Sequence, residues 1–243
     1  MTESQENKQY LIGIRSHLST QYLFSAWSFT KHAKSIEDKY TSEEDLKTFF
    51  LDHRSSVLGC IIITVTFLEA YINEFFSDIS ANMLFDYPNI SKECAEKLSL
   101  LWEHGIPRTA KYSILEKYEF ALGKLSGKEF NKGISPYQDV KMLIKLRNSL
   151  IHFESEWVYN DPNKFGKKDL EHELEKSLKG KFQLNPITGS ANPFFPDKCL
   201  GFGICRWGLS SSIKFVLDFW KLSNITPQSK DSIAKVNALV QAI

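Results

Sequence analysis

Apolar positions recur along most of this chain at the three-to-four-residue spacing of helices, and proline, glycine and asparagine punctuate the runs. From Gln9 to Tyr40, Leu11, Ile12, Ile14, Leu18, Tyr22, Leu23, Trp27 and Phe29 keep an irregular helical rhythm before the sequence turns charged, which predicts one or two packed helices. Thr41-Ser42-Glu43-Glu44-Asp45 supplies a cap and an acidic first turn for a long helix running to about Met83. Within it, Val57 to Phe76 is nearly continuous apolar sequence. A membrane span needs about 20 predominantly apolar residues. Here Gly59, Thr64, Thr66 and Glu69 interrupt the run, so a central helix buried on most sides is expected, with Glu69 on a small or polar stripe.

After the break at Asp86-Tyr87-Pro88-Asn89, Ser91 to His104 and Ala110 to Leu125 read as two helices, and residues 86–133 as an insert on the bundle core. KKDLEHELEKSLKGK reads as a solvated surface helix whose glutamates largely cancel the field of its lysines, with His172 a surface residue. Pro186, Gly189, Pro193 and Pro196 keep the next stretch irregular, so residues 158–205 are expected to form a flap, with Phe194 and Phe195 as packing anchors. Leu209 to Ser223 then closes the bundle, and Asn224 to Ile243 adds a short terminal helix.

Between insert and flap lies SPYQDVKMLIKLRNSLIHFESEW, Ser135 to Trp157. Ser135 as N-cap, Pro136 at the first helical position and Gln138 three residues after the cap predict a capping box. At about 100° per residue, Val140, Leu143, Ile144, Leu150 and Ile151 share one face, and Arg147 falls in the middle of it. A guanidinium on an apolar seam needs a carboxylate, a symmetric partner or an anionic ligand, because burying it unpaired is costly. Asn148 and His152, four apart, share a stripe on one flank. Glu69 is the candidate acid, either orienting Arg147 or His152 within a site or serving as a structural counter-charge.

Arg147-Asn148-Ser149-Leu150-Ile151-His152 resembles the Arg-x4-His motif of the HEPN superfamily, the higher eukaryotes and prokaryotes nucleotide-binding domains. Leu68-Glu69-Ala70-Tyr71-Ile72-Asn73-Glu74 resembles the corresponding earlier helix of several bacterial groups in that superfamily. The resemblance implies an all-α fold with a four-helix bundle core, and the length and pattern of the chain add a single domain over 1–243 with additional helices and a loop-rich C-terminal insert. It also implies a metal-independent endoribonuclease acting on RNA as a homodimer, in a toxin or antiviral-defence setting where an antitoxin or defence-system protein is a further partner. Arg147, His152, Asn148 and Glu69 are the site residues on this reading.

The chemistry is consistent with those residue types. RNA cleavage without metal needs a base for the ribose 2′-hydroxyl, an acid for the departing 5′-oxygen, and positive charge on the phosphoryl oxygens. A histidine such as His152 serves as acid or base near neutrality. Arg147 offers a fork of donors to the transition state, and Asn148 can hold imidazole or phosphate. One such helix supplies one arginine and one histidine, so two copies complete the set. The rival from another class is a noncatalytic nucleotide- or RNA-binding or dimerisation module of a defence assembly.

Composition narrows this further. Formal net charge is only +1, so any phosphate site must be local rather than a global basic field, and Arg147 is one of just five arginines beside Arg15, Arg54, Arg108 and Arg206. Cys60, Cys94, Cys199 and Cys205 form no CxxC pair, which supports neither zinc nor a disulfide framework. No cofactor or metal is expected. The polar start MTESQENKQY lacks signal-peptide character, so a cytoplasmic location without membrane association is expected. No P-loop, Gly-rich dinucleotide turn, HExxH or nucleophile elbow occurs in the sequence.

Overall fold

The structure is a computed structural model that describes residues 14–39, 43–108, 111–155, 173–227 and 229–242. The fold is all-α, with no strand among the described residues. In chain order the helices are α1 (Ser19–Lys39), α2 (Glu43–Ser80), α3 (Lys92–Glu103), α4 (Ile114–Ser126), α5 (Tyr137–Ile151), α6 (Glu173–Leu178), α7 (Phe202–Ser223) and α8 (Lys230–Gln241).

Helix α2 is the spine. At 1.5 Å per residue its 38 residues run about 57 Å, and α1, α3, α4, α5 and α7 all lie against it. Its segment Phe49–Ser80 is long and apolar enough to cross a membrane by length and composition. In the fold, however, Val57, Ile61, Val65, Phe67, Leu68, Ile72, Phe75 and Phe76 are each at most 1% exposed. Burying a side chain of this size removes enough apolar surface to stabilise the fold by about 1.5–3 kcal/mol, so protein neighbours here do what lipid would do for a span.

Helix α7 is the second axis, meeting α1, α2, α4, α5 and α8. Where α7 crosses α2, the two helices bury aromatic rings edge to face: Phe219 sits 5.9 Å from Phe75 and 5.2 Å from Tyr118, centroid to centroid. The two polar tips in this cluster are satisfied, as buried hydroxyl and indole groups must be. The Tyr118 hydroxyl donates to the Leu68 carbonyl at 2.9 Å, and Trp220 Nε1 donates to the Tyr71 hydroxyl at 2.7 Å. Tyr118 belongs to α4, and with Ala121 and Leu122 it is completely buried. The expected insert at 86–133 therefore contributes one of its helices to the core itself.

Two carboxylates hold helix beginnings in place. Glu74 of α2 accepts the Leu18 and Ser19 backbone amides at 2.7 and 2.9 Å, capping α1. Glu37 of α1 accepts the Phe202 amide at 2.6 Å and His53 Nε2 at 2.8 Å, placing a carboxylate at the N-terminus of α7, where the helix dipole favours it.

Two sequence expectations are corrected. The capping box at Ser135 does not form: the helix starts at Tyr137, Pro136 makes no side-chain cap, and the Ser135 hydroxyl donates to the carboxylate of Asp139. A charged acceptor outcompetes the capping geometry, and Lys181 Nζ completes the arrangement at 2.7 Å from Asp139. The closing helix begins at Phe202, well before Leu209, because Gly201, Gly203 and Gly208 dilute its apolar pattern while serving close approach. A Cβ on Gly203 would stand 2.0 Å from the Gln183 carbonyl oxygen.

Two further expectations concern the region between α5 and α7. Of the expected flap, residues 158–172 lie outside the described residues; in the described part Asn185 is buried and donates to the Leu200 carbonyl at 2.9 Å, and Arg54 reaches Pro196 O and Asp197 at 2.9 Å each. Phe194 and Phe195 are buried anchors, as the sequence suggested. Of the charged stretch read as a solvated helix, Lys168 to His172 lie outside the described residues, and the described part, α6, buries Leu174 and Leu178 almost completely. The expected cap residues Thr41 and Ser42 also lie outside the described residues.

Candidate functional site

Helix α5 is held by Tyr137, Val140, Leu143 and Leu146, which are buried; on its last turns Arg147 borders that buried face, while Asn148 and His152 turn away from it to solvent. Leu143 reaches α7 at Gly208, where an added Cβ would lie 2.9 Å from the Leu143 side chain. The buried face thus centres near Leu143 and Leu146, one step round from the expected seam, and Ile151 is 49% exposed. Arg147 lies on the flank of that face, half-buried, and its Nε is buried without a hydrogen-bond partner among the described residues.

Asn148 is exposed, and its carbonyl accepts the His152 backbone amide at 2.9 Å. His152 is the C-cap of α5 and is exposed to solvent. His152 follows Arg147 by five positions, which places them about 140° apart around the helix and about 7.5 Å apart along it. They therefore do not converge on a single point from one chain. Phe153, half exposed, leans on Phe195 of the anchored loop with ring centroids 6.1 Å apart, so that loop fixes the chain as it leaves the helix.

Glu69 does not join this group. Its carboxylate lies 3.5 Å from Lys117 Nζ of α4, and no ion pair between Glu69 and Arg147 occurs among the described residues. Lys117 is 4% exposed and also donates to Asn73 Oδ1 at 3.0 Å, so the polar stripe of α2 faces α4 at this point. The sequence signal for this pair is Lys117 itself: it stands on the apolar stripe of Ile114, Tyr118 and Ala121, and a buried ammonium needs a carboxylate close by.

Elsewhere, a polar cavity of about 290 Å³ lies beside the start of α1. Asp78, buried within it, is bound by Arg15 and His17 at 2.8 Å each and accepts from the Tyr87 hydroxyl at 3.4 Å. Its groups satisfy one another and fasten residues 15–19 to the end of α2. Among the described residues no cluster of three His, Cys, Asp or Glu side chains is arranged to hold a metal ion. No protein-family model, no curated protein and no solved structure matches this chain.

Proposed function

We propose that this protein is a metal-independent endoribonuclease of the HEPN type, acting through a composite site built from the α5 helices of two copies. The observation that carries the reading is Arg147: a guanidinium whose Nε is buried and unpartnered among the described residues, on the same helix end as an exposed histidine. With Glu69 held by Lys117, the scissile phosphate is the available counter-charge for it. A second copy related by a twofold axis brings a second Arg147 and His152 to the same place, and the half-exposed Ile151 and Phe153 supply apolar surface for that contact.

In the reaction one His152 removes the ribose 2′-hydroxyl proton, and the 2′-oxygen bonds to phosphorus. The bond from phosphorus to the 5′-oxygen breaks, and that oxygen takes a proton from the second His152. The Arg147 pair stabilises the charge on the phosphoryl oxygens, and Asn148 holds imidazole or phosphate. The products are a 2′,3′-cyclic phosphate and a 5′-hydroxyl. Cellular RNA incubated with the purified chain in EDTA should yield those ends, and Arg147→Ala and His152→Ala should each abolish the yield while the helical circular dichroism persists. Growth arrest on expression, lost with Arg147→Ala, would read the toxin or defence role.

One observation favours a second reading. No side-chain hydrogen bond orients the His152 ring among the described residues, whereas catalytic imidazoles are normally held by a second group. RNA that is bound but left intact under all these conditions would make the chain a noncatalytic binding module.

A further inference from the structure

A cleft of about 310 Å³ lies on the far side of α7, walled by the segment after α6 and by the end of α8. Its long wall is set by the spacing of α7. Arg206, Ser210 and Lys214 follow one another at four-residue intervals and so form a straight row on the helix surface. Trp207 stands beside that row, with its ring 5.7 Å from the ring of Phe182 across the cleft. The opposite wall is brought this close by Gly203, which lets the Gln183 backbone cross α7 where a Cβ would collide at 2.0 Å.

The charge in this cleft is one-sided. None of its lining residues is acidic. Lys181 is engaged by Asp139 at 2.7 Å, but Arg206 and Lys214 are exposed and have no ion-pair partner among the described residues. What sets these two cations apart from other surface lysines is their place: both line one cleft and flank a partly buried tryptophan. They stand eight residues apart, about 12 Å along the axis.

We infer that this cleft binds single-stranded nucleic acid, with Arg206 and Lys214 on backbone phosphates two steps apart and a base stacked against the Trp207 and Phe182 pair. Cations that track a backbone beside an aromatic platform are what sequence-tolerant recognition of unpaired strands requires, because every base offers a π-face. An acidic peptide would answer the cations but would leave the exposed ring surface without a matching partner. The site is distinct from the end of α5: Lys181 joins it to Asp139 in the first turn of that helix, and His152 lies thirteen residues further on, about 20 Å along the axis. The inference concerns binding alone and stands whether or not the chain cuts RNA.

The test uses the full chain and a fluorescent 2′-O-methyl oligouridylate of about a dozen nucleotides, which has no free 2′-hydroxyl and cannot be cleaved by 2′-attack. Anisotropy titrations across a salt series should show binding whose logarithm falls linearly with the logarithm of salt concentration. Arg206→Ala and Lys214→Ala should each flatten that slope by about 0.7, the increment for one phosphate contact on a single strand. The pair Arg206→Glu and Lys214→Glu, both at exposed positions, should lower affinity by a hundredfold or more with the melting curve unchanged. Trp207→Leu should lower it about tenfold without changing the slope. Arg147→Ala should retain wild-type affinity for this probe, which separates failure of the cleft from failure of the α5 reading. Unchanged binding in the double glutamate variant, or equal binding of a polyglutamate peptide through the same two cations, would overturn the proposal.

Discussion

Replacing Glu37 by alanine tests how α7 is held in register with the rest of the bundle. The carboxylate is 8% exposed and accepts two donors with one oxygen, the Phe202 amide at 2.6 Å and His53 Nε2 at 2.8 Å. His53 is itself buried, at 1% exposure, so alanine strands two donors where water reaches them poorly. Each orphaned buried donor costs about 1–3 kcal/mol, and the lost anion at a helix N-terminus costs about 0.5 kcal/mol more. The expected loss for Glu37→Ala is therefore about 4 kcal/mol, whereas Glu37→Gln keeps an accepting oxygen and should lose about 1 kcal/mol. Urea unfolding followed by circular dichroism reads both. With a slope near 3 kcal/mol per molar, the alanine variant should shift its midpoint down by about 1.3 M. A Glu37→Ala midpoint within 0.2 M of wild type would refute the claim that this carboxylate anchors α7.

Glu69→Gln should destabilise the monomer by about 1 kcal/mol through Lys117, the figure being modest because the Glu69 side chain is 44% exposed and screened by solvent; an equal loss in the Lys117→Met background would show the effect to run through some other partner. Burial and the neighbouring Asp78 raise the Asp86 carboxyl above its ordinary value of 3.8. That sign means its contribution to stability is fully present below the ordinary value and is lost as pH rises through the raised one. Asp86→Asn should accordingly match wild type in strongly acidic buffer and exceed it slightly at neutral pH, and a variant less stable than wild type at neutral pH would contradict this. Burial pushes the Cys199 thiol up to about 12, and Cys60 and Cys205 are fully enclosed, so a thiol-specific reagent should modify Cys94 alone in the native protein and all four cysteines in urea.

The elements legible in the sequence were those whose apolar spacing does the folding. Helix α2 and the later part of α7 announce themselves because nearly every turn buries a large side chain. The start of α7 was illegible for a reason visible at Gly203 and Gly208: both give up a side chain so that Gln183 and Leu143 can come close, and missing side chains blur the pattern by which helices are read. At α5, spacing placed Arg147 against the core but misjudged the centre of the buried face, since Leu146 is buried and Ile151 is half exposed. Ser135 misled because a capping sequence does not reveal that Asp139, four residues on, competes for the hydroxyl. Glu69 misled because a helix stripe specifies a direction and not a partner: its partner Lys117 sits on α4, a helix of the expected insert and not of the expected core.

The order in which the two long helices are synthesised has a consequence for the newborn chain. Helix α2 is complete at Ser80, yet α7, whose Phe219 and Trp220 cover Phe75 and Tyr71, ends only at Ser223. At roughly 5–20 residues per second, the ribosome takes on the order of 10–30 s to close that gap. Throughout it an apolar helix of membrane-spanning length has only part of its eventual cover. Until α7 arrives, that helix offers targeting factors and chaperones the surface they recognise in a transmembrane segment, so the efficiency with which this chain reaches its fold should depend on the speed of translation between the two helices.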